Sequence, residues 1–419
     1  MSKRVLVIGG GVIGLSTAFF CARRGCRVTL VDRNPEQRDG CSFQNAGMIV
    51  PSHFVPLAAP GMVALGLKWM WNPASPFYIK PRLSWDLIDW AWKFWRAATP
   101  EHVRRAGPLI RDLSFASREC FEELAALPGN DFGLVKKGLL MLCKTQHTLD
   151  EESRSAAQAR ALGIPAEVLD PKQTAALDPN VRMDIAGSVY FPKDCHLQPD
   201  RFLSGLQTQL KAMGAEFIWN REVIGWRVEN HRNVRRARLD DGREIEADEF
   251  ILCGGSWSPL VVRGLGLKIP IQAGKGYSLT LSKPRQLPQI CAIFSEARVA
   301  VTPMGGKLRF GGTMEMAGLN EDINPVRVRG IINAVQKYYP EFEPKDFDGI
   351  QPWRGLRPCS PDGMPYVGRT TKFGNLIIAT GHAMMGLSLG PITGKLVAEI
   401  LSGGQPQFDL TQLSPDRYN

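Results

Sequence analysis

Three glycines, Gly9, Gly11 and Gly14, stand at G-x-G-x-x-G spacing, and an acid, Asp32, follows them. These residue types at this spacing serve to hold a dinucleotide. Gly9 permits a tight turn, Gly11 lets a pyrophosphate approach the backbone, and Gly14 lets a helix pack closely on a strand, with the phosphates on the helix N-terminus at Val12 and Ile13. Asp32 is suited to accept hydrogen bonds from the ribose hydroxyls of an adenosine. The elements that must position them are legible too. Lys3 to Ile8 reads as a short buried strand, a helical pattern lasts to about Arg24, Gly25 ends it, and a second strand from Arg27 to Val31 delivers Asp32. A glycine-rich turn without a ligand is the alternative, but strand, glycines, helix, strand and acid in one unit favour a bound dinucleotide. This unit alone leaves NAD and FAD both open.

An apolar strand runs into glycine twice more. Phe250-Ile251-Leu252-Cys253 stops at Gly254-Gly255, and Leu376 to Thr380 stops at Gly381-His382. Ligands of open parallel sheets sit at the carboxyl ends of strands, so all three corners are expected to face one cofactor. The last corner leads through Gly386 into a helix to about Leu401. Its N-terminal dipole would stabilise the negative charge that reduction places on an isoalloxazine ring, whereas a nicotinamide becomes neutral on reduction. This favours FAD. Gly40 to Met48, rich in small and amide residues, can wrap the far side of an extended dinucleotide, although an ordinary surface loop has the same composition.

The 419 residues are enough for two domains. The first strand begins at the N-terminus and no apolar run reaches the length of a membrane span, so a cytoplasmic protein is expected. Nine scattered cysteines form no C-x-x-C pair, which predicts reduced thiols and no metal site. A net charge of +10 suits nucleic acid, an anionic membrane surface or acidic substrates. Without a Lys/Arg block interleaved with aromatics, the last two are favoured and no nucleic acid is expected.

Six of the ten tryptophans, Trp69, Trp71, Trp85, Trp90, Trp92 and Trp95, fall in one short stretch. A helix over Ser84–Arg96 would gather Asp86, Asp89, Lys93 and Arg96 on one stripe and leave aromatic and aliphatic side chains around the rest. Burial in the core is the favoured expectation, and contact with the inner face of the cell membrane is the alternative. A second amphipathic helix is expected from about Pro108 to Leu127. Short strands at 134–145, 276–282, 297–302 and 307–313 predict a mainly antiparallel sheet. The fold class is therefore α/β, α+β overall: a discontinuous Rossmann-like FAD-binding domain (1–55, 195–262 and 350–419) and a substrate domain (56–194 and 263–349) with a Trp-rich helical insertion.

The order of motifs resembles the D-amino-acid oxidase superfamily of flavoproteins, and within it the bacterial D-amino-acid dehydrogenases. The resemblance covers nearly the whole chain. It rests on Gly9 to Gly14 with Asp32-Arg33, on Ser42 to Gly47, on Pro60-Gly61 and on Gly254 to Ser258. Further marks are Gly274 to Ser278, Gly355-Leu356-Arg357-Pro358, Pro361-Asp362-Gly363, Gly381-His382 and Asp416-Arg417-Tyr418. It implies cofactor contacts at Arg33, Ser42, Asn45, Ala46, Gly47, Val223, Gly254, Gly255, Gly381, His382, Met384, Met385 and Gly386. It also implies that Arg357 binds the substrate carboxylate, a task suited to a planar guanidinium, a structural ion-paired arginine being the alternative. Tyr277 is implied as a second contact to carboxylate or amine, a tyrosine packed in the sheet being the alternative. Lys275 is expected in solvent, a place near the flavin's reactive edge being the alternative.

Where the dehydrogenases read G-H-G, this chain has Gly381-His382-Ala383-Met384-Met385-Gly386. Two methionines over the ring would form an adaptable apolar wall, which makes D-proline or a hydroxy-D-proline as plausible as D-alanine. Cys359 lies near the flavin motif, yet non-covalent FAD is expected. The resemblance implies oxidation of the Cα–N bond of an amino acid to an imine and then a 2-oxo acid, with electrons passing to a quinone or other respiratory acceptor. Glycine or sarcosine oxidation and a tRNA-modifying flavoprotein are the alternatives.

Overall fold

The computed structural model of the protein describes residues 2–37, 39–69, 75–80, 82 and 84–419, so Trp71 lies outside the described residues. Two sheets organise the chain. The smaller has six strands in the order Tyr366–Arg369, Leu376–Thr380, Glu249–Leu252, Arg4–Ile8, Arg27–Val31 and Glu216–Ile218. All neighbours are parallel except the edge hairpin of the first two. The central strands Arg4–Ile8, Glu249–Leu252 and Leu376–Thr380 carry continuous apolar runs because both their faces are covered. Val5, Val7, Ile251 and Ile377 pack on one face with helices Val12–Arg23, Pro199–Ala212 and Gly390–Leu401. Leu6, Ile8, Phe250 and Ile378 pack on the other with a three-stranded layer over Val223–Glu246.

The larger sheet has nine strands. Eight run in the order Trp353–Cys359, Gln272–Leu281, Lys307–Met316, Val299–Met304, Cys291–Phe294, Leu139–Cys143, Gly187–Phe191 and Glu167–Leu169, and Phe77–Ile79 pairs with Lys307–Met316. Pairing is antiparallel except where Cys291–Phe294 meets Leu139–Cys143 and where Phe77–Ile79 joins. Helix Pro325–Tyr338 covers the face formed by Tyr277, Leu279, Val299, Val301 and Phe310.

Several elements depart from the sequence expectations. The strand expected over 134–145 is confined to Leu139–Cys143. The helix expected from Pro108 begins at Pro100, where the Thr99 side chain caps it by accepting from the His102 amide, and Pro108 sits inside it. That helix buries Ala106, Ile110, Leu113 and Phe121 in the core shared with the smaller sheet. Strand Trp353–Cys359 is hydrogen-bonded into the larger sheet. Both segments thus sit across the boundaries drawn from sequence. The Trp-rich helix spans Trp85–Ala97 and inserts only Leu87 and Trp90, with Phe94 packed beside them. Core burial fails for its other indoles, since Trp85 is 85%, Trp92 57% and Trp95 55% exposed.

Candidate active site

The carboxyl ends of Arg4–Ile8, Glu249–Leu252 and Leu376–Thr380 are adjacent in the smaller sheet, so their three turns converge. Gly9 adopts φ +109°, and a Cβ there would lie 2.4 Å from the Cys253 carbonyl oxygen. A Cβ on Gly14 would lie 1.8 Å from the Gly9 carbonyl oxygen, so Gly14 serves helix-to-strand packing. A cleft enclosing about 1210 Å³, open space at its mouth included, runs from this turn. Its wall includes Gly9, Gly11, Val12, Ile13, Asp32, Arg33, Ser42, Asn45 and Val223 along one stretch, and Gly254, Gly255, Arg357, His382 and Gly386 along another.

The N-terminus of helix Val12–Arg23 lines the cleft, and helix Gly390–Leu401 begins just beyond the wall residues Gly386 and Leu387. Neither helix Val12–Arg23 nor helix Gly390–Leu401 is capped by the side chain of its own N-cap residue or carries an acid in its first turn, so both dipoles favour an anion. Ser42 accepts from the Val12 amide at 3.0 Å. Asp32 accepts from the amides of Gly10 and, at 2.8 Å, Asn34, which fixes its carboxylate at the end of Arg27–Val31. The Arg33 guanidinium lies 4.5 Å over the Trp257 ring, and these two join Val223 and Val261 around the part of the cleft beyond Asp32.

His382 is 2% exposed. Thr393 donates its hydroxyl to the Leu389 carbonyl, so it accepts from His382 Nε2, at 3.0 Å. The Nδ1 atom is then a buried acceptor with no hydrogen-bond partner among the described residues. Burial holds this imidazole down to about 3, so it is neutral. The corner around it is tight, because Gly381 (φ +79°) and Ala383 (φ +47°) both adopt left-handed conformations.

Arg357 reaches the cleft from the larger sheet. Its strand residue pairs with Gly274, and its guanidinium folds over Gly276, where a Cβ would lie 2.1 Å from Nη1. Nη1 donates to the Thr313 carbonyl at 2.9 Å. Thr313 has φ +63°, an outlier for a β-branched residue, within a register shift opposite Lys275–Tyr277. No carboxylate lies within ion-pair distance of Arg357 among the described residues. An unpaired guanidinium in a cofactor cleft is a ready anchor for a ligand carboxylate.

Other expected site residues lie elsewhere. Tyr277 points to the opposite face from Arg357, where its hydroxyl donates to Glu315 at 2.7 Å and accepts from the Asn324 amide. Burial and Glu315 push that phenol up. Its expected substrate contact is therefore corrected to a structural role, since strand alternation sends it under helix Pro325–Tyr338. Lys275 is 1% exposed rather than solvated, donating to Asn320 Oδ1 and the Asp322 carbonyl, each at 2.7 Å. The expected wall of two methionines does not form, because Met385 joins the apolar cluster of Ala46, Met48 and Val50 while Met384 is exposed. Ala46, Gly47 and Gly381 shape turns behind the cleft. Gly47 stacks on the Leu197 carbonyl and Gly381 on the Tyr366 ring, each too close for a Cβ.

Sequence reasoning missed Thr313, Gly276 and the pair Gly390 and Gly394. A Cβ on Gly390 would lie 2.8 Å from Val12 Cγ2, and one on Gly394 would lie 2.5 Å from the Ser16 backbone. These two glycines let the helices with the free N-termini cross at close range. Their spacing of four on one helical face was the available signal.

The cleft suits FAD on its own chemistry: an extended shape, two uncapped helix N-termini, glycine-only backbone approaches, an acid after the second strand and an orphaned imidazole nitrogen. The comparisons agree. Residues 4–400 match the DAO family, described as FAD dependent oxidoreductase. A D-amino acid dehydrogenase of Methylobacterium radiotolerans is 32% identical over 420 residues, covering 99% of both chains. Another of that name, from Bradyrhizobium diazoefficiens, is 31% identical over 426 residues, again 99% of both. Among solved structures, glycine oxidase from Geobacillus kaustophilus aligns over all of both chains with a TM-score of 0.79 at 23% identity. L-proline dehydrogenase from P. horikoshii aligns with a TM-score of 0.73 at 17% identity, over 100% of this chain and 98% of its own. Those two likenesses show the fold. Matched along nearly its full length, with a cleft of fitting chemistry, the chain belongs to the DAO family of FAD dependent oxidoreductases.

Proposed function

We propose that the protein oxidises the Cα–N bond of a small D-amino acid to an imine, which water converts to the 2-oxo acid, and passes the electrons to a quinone or other respiratory carrier. The observation that carries this reading is Arg357, an unpaired guanidinium held over Gly276 at the wall of the cofactor cleft. The family relatives named D-amino acid dehydrogenase support the D-enantiomer.

Gly9 to Gly14, Asp32, Ser42, Gly254-Gly255 and the segment from Gly386 into helix Gly390–Leu401 would hold FAD non-covalently, and the cofactor would supply a hydride acceptor. Arg357 grips the substrate carboxylate at two points and so fixes the orientation of Cα. The amine binds uncharged, and its lone pair stabilises the iminium that develops as the Cα hydrogen leaves, so no protein base is required. The dipole of helix Gly390–Leu401 favours negative charge at this corner, whereas the neutral His382 offers its Nδ1 lone pair to a hydrogen-bond donor. Cys359 is no candidate for a covalent link. It is fully buried, donates to the Arg357 carbonyl, and burial pushes its thiol up to about 12, against the pull of the Arg357 charge.

D-Proline or a hydroxy-D-proline is a second reading, which rests on the departure from G-H-G over Gly381–Gly386 and not on a methionine wall. The test is anaerobic bleaching of the yellow protein across D- and L-amino acids, both prolines, glycine and sarcosine, followed by acid precipitation. Small D-amino acids or D-prolines should bleach it, and FAD should remain in the supernatant. Bleaching by L-enantiomers alone, or a yellow pellet, would contradict the substrate or the cofactor reading respectively.

A further inference from the structure

Helix Trp85–Ala97 has three faces. Leu87, Trp90 and Phe94 point inward, with the Trp90 Nε1 donating to the Cys359 carbonyl at 2.9 Å and its ring stacked on Phe94 at 5.0 Å. Asp86, Asp89, Lys93 and Arg96 form a charged flank. The third face carries Trp85, Ile88, Trp92 and Trp95 at spacings of three, four and three, which place them on one line. All four are exposed, Ile88 by 49%. Trp92 and Trp95 lie 5.0 Å apart, ring to ring, so the stripe is a continuous apolar surface. The anchored inner face displays these indoles on a fixed base.

We propose that this stripe seats the protein on an anionic lipid bilayer, the helix lying in the plane of the interface. Indole rings prefer the boundary between head groups and acyl chains, where the ring is in apolar surroundings and the N–H in polar ones. The surrounding charge fits anionic head groups. The stretch from Met62 to Arg105 carries Lys68, Lys80, Arg82, Lys93, Arg96, Arg104 and Arg105 against Asp86, Asp89 and Glu101, within a chain of net charge +10. Lys93 pairs with Asp89, but Arg96, next to Trp95, has no carboxylate within ion-pair distance among the described residues. No described helix is long and apolar enough to cross a membrane, so attachment is from one side. The seat is also coupled to the site, because Trp90 bonds the strand that carries Arg357. Docking therefore brings the cofactor cleft close to acceptors dissolved in the lipid.

The test is cosedimentation of the FAD-loaded full chain with vesicles of phosphatidylcholine alone or mixed with phosphatidylglycerol. The wild type should pellet with the mixed vesicles and be released by added salt. A Trp85→Ser, Trp92→Ser, Trp95→Ser variant should bind roughly tenfold or more weakly, with an unchanged melting temperature and unchanged dye-coupled turnover. Arg96→Glu, with the tryptophans intact, should lose the preference for the anionic lipid. The proposal is overturned if the wild type ignores the mixed vesicles, or if both variants bind as the wild type does. It is also overturned if the wild type ignores vesicles and the triple variant instead dissociates a dimer, which would make the stripe a contact between copies of the chain. None of these outcomes depends on which amino acid is oxidised.

Discussion

Arg357 owes its position to two residues that bring no side-chain chemistry to the site. Gly276 leaves the space its guanidinium fills, and Thr313, strained into a left-handed conformation, turns a carbonyl toward it. A methyl group on Gly276 would meet only the far end of a flexible side chain, so Gly276→Ala should fold normally while displacing the arginine. We expect KM for the amino acid to rise roughly tenfold, about 1.4 kcal/mol, with a melting temperature near wild type. Steady-state kinetics beside a thermal melt checks this, and an unchanged KM would mean that Arg357 is not the carboxylate anchor. Arg357 was legible because a short contiguous motif carries it. Tyr277 was misread because every residue from Gln272 to Ser278 is buried, so no alternation of polar and apolar residues reveals which face it takes.

The elements that position the cofactor divide in the same way. The opening strand, helix and strand were legible because the two strands are neighbours in sequence and in the sheet, and glycine marks the turns between the elements. The crossing of Val12–Arg23 with Gly390–Leu401 was not, since it joins segments from opposite ends of the chain through the absence of two side chains. Gly394→Ala tests that crossing against a competing effect. Helix propensity alone would stabilise the variant by about 1 kcal/mol. A methyl 2.5 Å from the Ser16 backbone has nowhere to go, and overpacking costs roughly 1–3 kcal/mol or more. We therefore expect a lower melting temperature and weaker FAD retention on gel filtration. A raised melting temperature would contradict the crossing. The sidedness of Trp85–Ala97 was equally hidden, because aromatics on two of its three faces leave periodicity with no single answer.

At the scale of the whole molecule, three buried groups, His382 at the cleft and His196 and Asp194 away from it, set opposing responses to acid. Burial holds His196 down to about 4 and His382 down to about 3, whereas the unfolded chain protonates them near 6.5. Their contribution is complete above that value and is lost as pH falls, by about 2 kcal/mol each at pH 5. Asp194 behaves oppositely. Burial raises it to about 7 against its hydrogen bonds from Ser52, so its contribution is complete below the ordinary carboxylate value and is lost as pH rises toward 7. Stability should fall on acidification from pH 7 to 5, and more steeply in Asp194→Asn, which removes the compensating group. Thermal melts across that range read the difference, and identical slopes would show that Asp194 is already ionised at pH 5.

The two sheets make one site only if the larger delivers a carboxylate anchor to the cofactor held by the smaller. The most direct test is the anaerobic reduction of bound FAD by a D-amino acid in wild type and in Arg357→Lys, followed by stopped-flow absorbance. An ammonium keeps the charge but cannot reproduce the two-point grip, so the second-order rate of reduction should fall by roughly thirtyfold or more, about 2 kcal/mol, while FAD content and melting temperature stay constant. A rate within a few-fold of wild type would contradict the account and assign the carboxylate to another cation.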